Sequence, residues 1–182
     1  MDGRSQGVLN AYRAQMGGLT MPRIMVHGGI LSLVASAFIA ITMWVNPRIW
    51  LQDYPRAIQD LVPPKNAEEK ALSRILGVPF LILLLAIPLA STLLLKVQSG
   101  GVVSYLRLMT NGVGVLFIFN LVDWLILDWL VFCTWTPQFV VIPSTDGAAG
   151  YKDYAFHFRG FLIGTAFSAV VGALTAGLTL LL

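Results

Sequence analysis

Two carboxylates and one imidazole are the residues of this sequence with the clearest capacity for chemistry. Asp123 and Asp128 stand near the end of a long apolar block, and His157 stands where the next apolar block begins. Carboxylates and imidazoles exchange protons, and together they suit a hard or borderline metal ion. Ionisable groups at membrane depth are costly, so they tend to have partners or functions. These three residues form the centre of the candidate polar site.

Asn120 and Arg159 complete this candidate site. Asn120 precedes Asp123 by three residues and shares its face of an α-helix. Asp128 follows Asp123 by five residues, which on an α-helix turns the two carboxylates about 140° apart. An α-helical spacing therefore argues against a carboxylate dyad.

Three interpretations of the site remain open at this stage. In the first, Asp123 or Asp128 forms an interfacial salt bridge with Arg159 or Arg74. In the second, the site handles protons or ions, and in the third, both aspartates join His157 in a catalytic or metal site. No ligand spacing such as HExxH supports a metal, and no nucleotide motif is present. The sequence therefore predicts no metal and no cofactor.

The elements that position these residues are long apolar blocks. Of the 182 residues, 57% are hydrophobic and only 12% are charged, and the mean hydropathy is +0.76; a soluble domain is usually about 25% charged. The net charge of +3 comes from Lys and Arg residues scattered at the ends of the blocks, which is typical of membrane flanks. The composition predicts one membrane domain, a lipid bilayer as its surroundings and no nucleic-acid partner.

The blocks predict an all-α polytopic membrane protein, a four-transmembrane-helix bundle. About 20 apolar residues are enough for a helix to cross a bilayer. The predicted spans are 24–45, 75–95, 103–132 and 158–182. Four crossings place the two long loops, 46–74 and 135–157, on the same side.

The first loop has an organisation of its own. Trp50, Tyr54 and Ile58 recur at helical spacing, which predicts a short interfacial helix. Asn66 and Glu69 then predict a capping box at the start of the second span.

Two rows of small residues predict close helix packing. Their members recur every four residues, in the first span and in the last, and small side chains let backbones approach closely in lipid. The rows are Gly28, Ser32, Ser36 and Ala40, and Gly160, Gly164, Ser168, Gly172 and Ala176. The first and last spans are expected to cross in mid-membrane, near Ser36 and Ser168; a homo-oligomer interface is the alternative.

The distribution of Lys and Arg residues does not fix the orientation of the chain in the membrane. Five Lys or Arg residues fall on the side of the termini and seven on the loop side, a distribution too even for the positive-inside rule. Acidic residues on the loop side offset part of the positive charge there, which favours termini in the cytoplasm.

The segment before the first span, residues 1–23, is predicted to form a short surface helix.

Several stretches resemble a group of small bacterial polytopic membrane proteins that has no assigned activity. The stretches are 46–48, 51–55, 127–129 and 150–154, together with His157. The resemblance implies a four-span protein of the bacterial plasma membrane and transfers no functional residue.

The predicted function follows from the two small-residue rows. They favour a membrane component that assembles with itself or with another membrane protein. The alternatives are a small proton- or ion-coupled transporter and an interfacial lipid-acting enzyme that uses Asp123, Asp128 and His157. The enzyme would need those three side chains to converge beside a groove open to lipid.

Overall fold

A computed structural model describes residues 20–182, which are helical with connecting loops and contain no β-strand. Four of the helices are long and apolar enough to cross a membrane, and the prediction of an all-α four-span membrane protein is confirmed. The spans are Thr20–Val45, Ala67–Gln98, Tyr105–Trp135 and Tyr154–Leu181. Most of the predicted surface helix at 1–23 lies outside the described residues.

The third span is the centre of the bundle. Its most extensive contacts are with the fourth span and then with the first, whereas the first and fourth spans make no comparable contact with each other. The expected crossing of the first and last spans near Ser36 and Ser168 is therefore wrong. Members of both rows pack against the third span instead: Gly28 in the first row, and Gly164 and Gly172 in the last.

Glycines make these approaches close. A Cβ atom built on Gly28 would lie 2.7 Å from Cβ of Ile118, and one built on Gly172 would lie 2.6 Å from the backbone nitrogen of Val113. The third span contributes glycines too, since a Cβ on Gly112 would lie 3.2 Å from Cα of Gly172. The third span can therefore receive a helix on each side.

Three other members of the rows also form contacts within the chain. Ser32 donates a hydrogen bond to the Gly28 carbonyl at 2.7 Å, and Ser168 donates one to the Gly164 carbonyl at 2.8 Å. Ala176 is fully buried in a cluster with Leu95 and Leu108, contributed by the second and third spans.

Buried polar contacts join the spans at the end of the bundle near the termini. Ser91 of the second span contacts His27 Nδ1 at 2.7 Å and accepts a hydrogen bond from Asn111 at 2.8 Å. The hydroxyls of Thr92 and Thr179 lie 2.9 Å apart. These contacts hold the second span against the bundle through its C-terminal half.

The two long loops fold together into a cap over the other end. The cap contains 3₁₀-helices at Pro47–Asp53, Gln138–Val140 and Ala149–Lys152 and a short α-helix at Arg56–Gln59. The Tyr54 hydroxyl donates to the Val140 carbonyl at 2.8 Å. The loops therefore lie at the same end, and Tyr54 is buried against the second loop.

The predicted capping box is present. The Asn66 side chain accepts from the Glu69 backbone N–H at 2.8 Å, and the Glu69 carboxylate accepts from the Asn66 backbone N–H at 2.9 Å. Arg48 pairs with the same carboxylate at 2.5 Å. The box thereby links the start of the second span to the cap.

Cysteine labelling tests this topology. In a Cys133→Ala background we expect Asp60→Cys and Asp146→Cys to react with an impermeant maleimide from outside intact cells, and Val102→Cys to react only after lysis. All three positions are exposed, and the expected side follows from cytoplasmic termini. Labelling of Asp60→Cys and Asp146→Cys from opposite sides would contradict the fold, whereas inversion of all three would correct only the orientation.

Candidate functional site

The third span changes its helical form where the candidate site begins. It is an α-helix from Tyr105 to Val122 and a π-helix from Asp123 to Trp135. The pattern extends to the residue after the π-helix, because the Thr136 N–H donates to the Val131 carbonyl five residues back, at 2.8 Å. π-Helices are rare, are mostly one turn long and are frequent at functional sites.

The π-helix brings the two aspartates of this span together. Residues five apart are hydrogen-bonded neighbours on successive turns of a π-helix. Asp123 and Asp128 accordingly line the same cavity and interact electrostatically. The expectation that they point about 140° apart is wrong because it assumed an α-helix.

His157 is the partner of Asp128. Its Nδ1 lies 2.9 Å from Asp128 Oδ1, and the His157 side chain is only 5% exposed. Within residues 20–182 the one other ion pair joins Arg48 to Glu69, so the expected salt bridge to Arg159 or Arg74 is not formed. Arg159 follows His157 by two residues, about 200° around the helix, and is exposed on its other side.

Asp123 and Asn120 have different roles. Asn120 donates to the Phe161 carbonyl at 3.0 Å and to the Thr165 hydroxyl at 3.1 Å, and it thereby ties the third span to the fourth. In the part of the chain from residue 20 onward, the Asp123 carboxylate makes no hydrogen bond, although it lies within electrostatic range of Asp128 and His157. Asp123 is therefore the carboxylate that is free to meet a ligand.

These groups line one cavity of about 620 Å³ in the cap-side half of the bundle. Its walls come from all four spans and from both loops of the cap, and most of them are apolar. The aromatic side chains include Trp50, Phe80, Phe119, Trp124, Phe132 and Phe161. A cavity of this size and lining, with a few convergent polar groups, is typical of a small-molecule site.

The cavity reaches the side of the bundle at the fourth span, where its lining residues Gly160, Ile163 and Phe167 are exposed. The buried residues of the second span all lie in its C-terminal half, and its N-terminal half contacts the bundle through partly buried side chains such as Phe80. Phe80 and Leu84 line the cavity from the middle of the second span, and Ile163 lines it from the fourth span while remaining 71% exposed. A molecule in the bilayer can therefore reach the cavity without crossing the cap.

No known relative informs this site. No protein-family model matches the chain, and no curated protein or solved structure matches it. The relation to small bacterial membrane proteins stays a prediction, as do the bacterial plasma membrane and the cytoplasmic termini.

Gly160 lies in the cavity wall rather than in a helix contact. Its place in the small-residue row predicts packing, but a Cβ atom built on it would meet nothing within 4 Å. Its neighbour Gly164 does pack, because a Cβ there would overlap the Asn120 side chain. Ala40 of the first-span row also lines the cavity.

Asp53 is a further site residue that sequence reasoning missed. It lies in the cap and lines the cavity from there, and its side chain is exposed although protein surrounds much of it. This desolvation raises the pKa of the Asp53 carboxyl; the Lys65 ammonium and a hydrogen bond from Gln52 oppose the shift, and Asp128 adds to it. Asp53 lies outside the apolar blocks, where an acidic residue is too common to signal a site.

The arrangement supports proton exchange more directly than metal binding. Within residues 20–182, no three His, Cys, Asp or Glu side chains are placed to hold a metal ion together. The hydrogen-bonded Asp128 and His157 instead form a carboxylate–imidazole pair, and Asp123 stands beside it.

Proposed function

We propose that this membrane protein takes a lipid-like molecule from the bilayer into the cavity and exchanges a proton with its head group. The observation that supports this proposal is the Asp128–His157 pair at the polar end of an apolar cavity that opens sideways. A lipid-acting function requires Asp123, Asp128 and His157 to converge beside a groove open to lipid. The shared cavity of these three side chains and its lateral opening support that function.

The Asp128–His157 pair has a defined chemical capacity. A neutral imidazole carries one proton, and the contact with Asp128 favours that proton on Nδ1. Nε2 is then the nitrogen with the free lone pair, which can accept a hydrogen bond or a proton from the ligand. Asp123 can return a proton to the ligand or hold its polar end.

The apolar walls supply the binding free energy for the rest of the molecule. Burial of apolar surface is worth about 25 cal/mol per Å² relative to water, but a lipid already in the bilayer gains less. Shape and aromatic contacts within the cavity must therefore select the molecule from the surrounding lipid. Trp124 and Phe161, whose ring centroids are 4.4 Å apart, form a rigid part of that wall.

The two other function classes have less support. Self-assembly rested on the small-residue rows, but Gly28, Gly164 and Gly172 are already packed against the third span. Transport would need a path to the other end of the bundle. A buried apolar cluster fills the bundle beneath the cavity; it contains Leu31, Ala35, Val115, Leu116, Phe119 and Val171.

Filling the cavity tests the proposed function. Gly160→Phe adds a ring where a side chain meets no atom within 4 Å at its Cβ, so the fold should tolerate it while the cavity loses volume. We expect labelling by a long-chain alcohol with a diazirine in its chain, measured in nanodiscs, to fall at least about tenfold, equivalent to 1.4 kcal/mol.

Gly177→Phe is the matched control. It lies on the same span, a Cβ atom built on it would also meet nothing within 4 Å, and it does not line the cavity. Its labelling should equal that of the unchanged protein. Equal labelling of all three proteins would show that the alcohol does not enter the cavity and would remove the proposed function.

A further inference from the structure

We infer that the head group recognised in the cavity is a protonated amine with at least one N–H, carried on a long apolar chain. This inference rests on the proposed function and names the chemical class of its ligand. It follows from the charge, the aromatic rings and the unpaired imidazole nitrogen of the cavity wall.

The charged side chains of the wall have one sign. Asp53, Asp123 and Asp128 line the cavity, and no Lys or Arg does so among the described residues. The Lys65 ammonium, which interacts electrostatically with Asp53, is held in the cap by the Ile49 carbonyl and by the side chains of Gln52 and Ser73.

This charge distribution discriminates among head groups. Inside an apolar cavity the attraction between opposite charges is several times stronger than in water. An ammonium entering the cavity favours the ionised form of the carboxylates beside it, whereas a phosphate or carboxylate head group meets like charge. The wall therefore selects a cation and rejects the anionic groups of common lipids.

Aromatic rings surround the same carboxylates. Trp124 and Phe132 line the cavity on the π-helix that carries Asp123 and Asp128, and Phe161 faces them from the fourth span. Cations bind the faces of such rings, most strongly in a desolvated site. Carboxylates interleaved with aromatic rings are thus a suitable surface for an organic ammonium.

His157 offers a hydrogen-bond acceptor, so the ammonium that binds here should carry an N–H. Its Nδ1 is occupied by Asp128, while its Nε2 is buried and has no partner in the part of the protein that the structure describes. Buried polar atoms without a partner are uncommon in folded proteins. A primary or secondary ammonium can donate to Nε2 after a small adjustment of the wall, whereas a quaternary ammonium cannot.

Competition against the photoactivatable alcohol tests the inference. The competitors are dodecylamine, dodecyltrimethylammonium, 1-dodecanol and dodecanoate, each titrated over the same range of mole fractions into nanodiscs that contain the protein. We expect dodecylamine to compete at a concentration at least about tenfold lower than dodecanol. The quaternary ammonium should be weaker than the primary amine, and dodecanoate should be weakest.

Variants distinguish recognition of the amine by the charged wall from simple partitioning of the amine into the bilayer. Asp123→Asn and Asp53→Asn should each weaken competition by dodecylamine severalfold and leave competition by dodecanol unchanged. Asp53 lies in the cap and is exposed, so its substitution does not require the spans to repack. Asp146→Asn, an exposed loop residue outside the cavity, is the control and should change neither.

The outcomes distinguish this inference from the proposed function. If no probe competes and the alcohol itself fails to label the cavity, the proposed function is wrong. If dodecanol or the quaternary ammonium competes as well as dodecylamine, the cavity binds lipid-like molecules but the assignment of an N–H-bearing amine is wrong. Unchanged amine competition in both aspartate variants would also overturn that assignment.

Discussion

Gly172→Ala should destabilise the bundle by about 3 kcal/mol or more, beyond the usual cost of overpacking a core. The added methyl group would lie 2.6 Å from the Val113 backbone nitrogen and 3.0 Å from its Cα. Backbone atoms cannot rotate away as a flexible side chain can, so the third and fourth spans must separate. Reversible unfolding in mixed micelles would measure the loss.

Gly177→Ala is the control for this substitution. It introduces the same methyl group in the same span, at a position with nothing within 4 Å. Alanine is favoured over glycine in a helix by about 1 kcal/mol, so this variant should be as stable as the unchanged protein or more stable. Equal stability of the two alanine variants would contradict the packing of the fourth span on the third.

The second large effect is expected from separating Asp128 and His157. Asp128→Asn leaves the buried imidazole of His157 without its charged partner, at a cost of about 1 to 3 kcal/mol in the free energy of unfolding. His157→Gln removes the same contact from the other side. A double-mutant cycle should therefore show a coupling energy of about 1 to 3 kcal/mol.

A second cycle provides the comparison. Asp146 is an exposed acid in the second loop and forms no ion pair within residues 20–182, so Asp146→Asn and His157→Gln should be additive within about 0.5 kcal/mol. Additivity of Asp128→Asn and His157→Gln to the same degree would show that the pair is not formed in the folded protein.

The features that could be predicted from sequence are those set by local chemistry. Span positions follow from the length of apolar blocks, and the capping box of Asn66 and Glu69 follows from side-chain reach within one helical turn. The spacing of the small residues identified helix faces that pack closely. The spacing did not identify which helix packs against those faces, because a face of small residues can accept any helix. Gly112 and Gly114 in the third span could have indicated that this span is the neighbour of both.

The site was only partly predictable for a different reason. Asp123, Asp128 and His157 were recognised because ionisable residues in apolar blocks are uncommon. Their arrangement depends on the π-helix, and the apolar residues from Asp123 to Trp135 look the same in sequence whether they form an α-helix or a π-helix. Asp53 reaches the cavity only because the two loops fold into one cap. That folding depends on contacts between residues far apart in the sequence, which local patterns do not predict.

An experimental structure in nanodiscs containing dodecylamine would test the central claim most directly. We expect Asp128 and His157 in contact and an elongated density in the cavity, entering from the side of the bundle beside the fourth span. Its polar end should lie about 3 Å from a carboxylate of the wall. A cavity closed by its own side chains, or Asp128 and His157 on separate faces of the bundle, would contradict the proposed site.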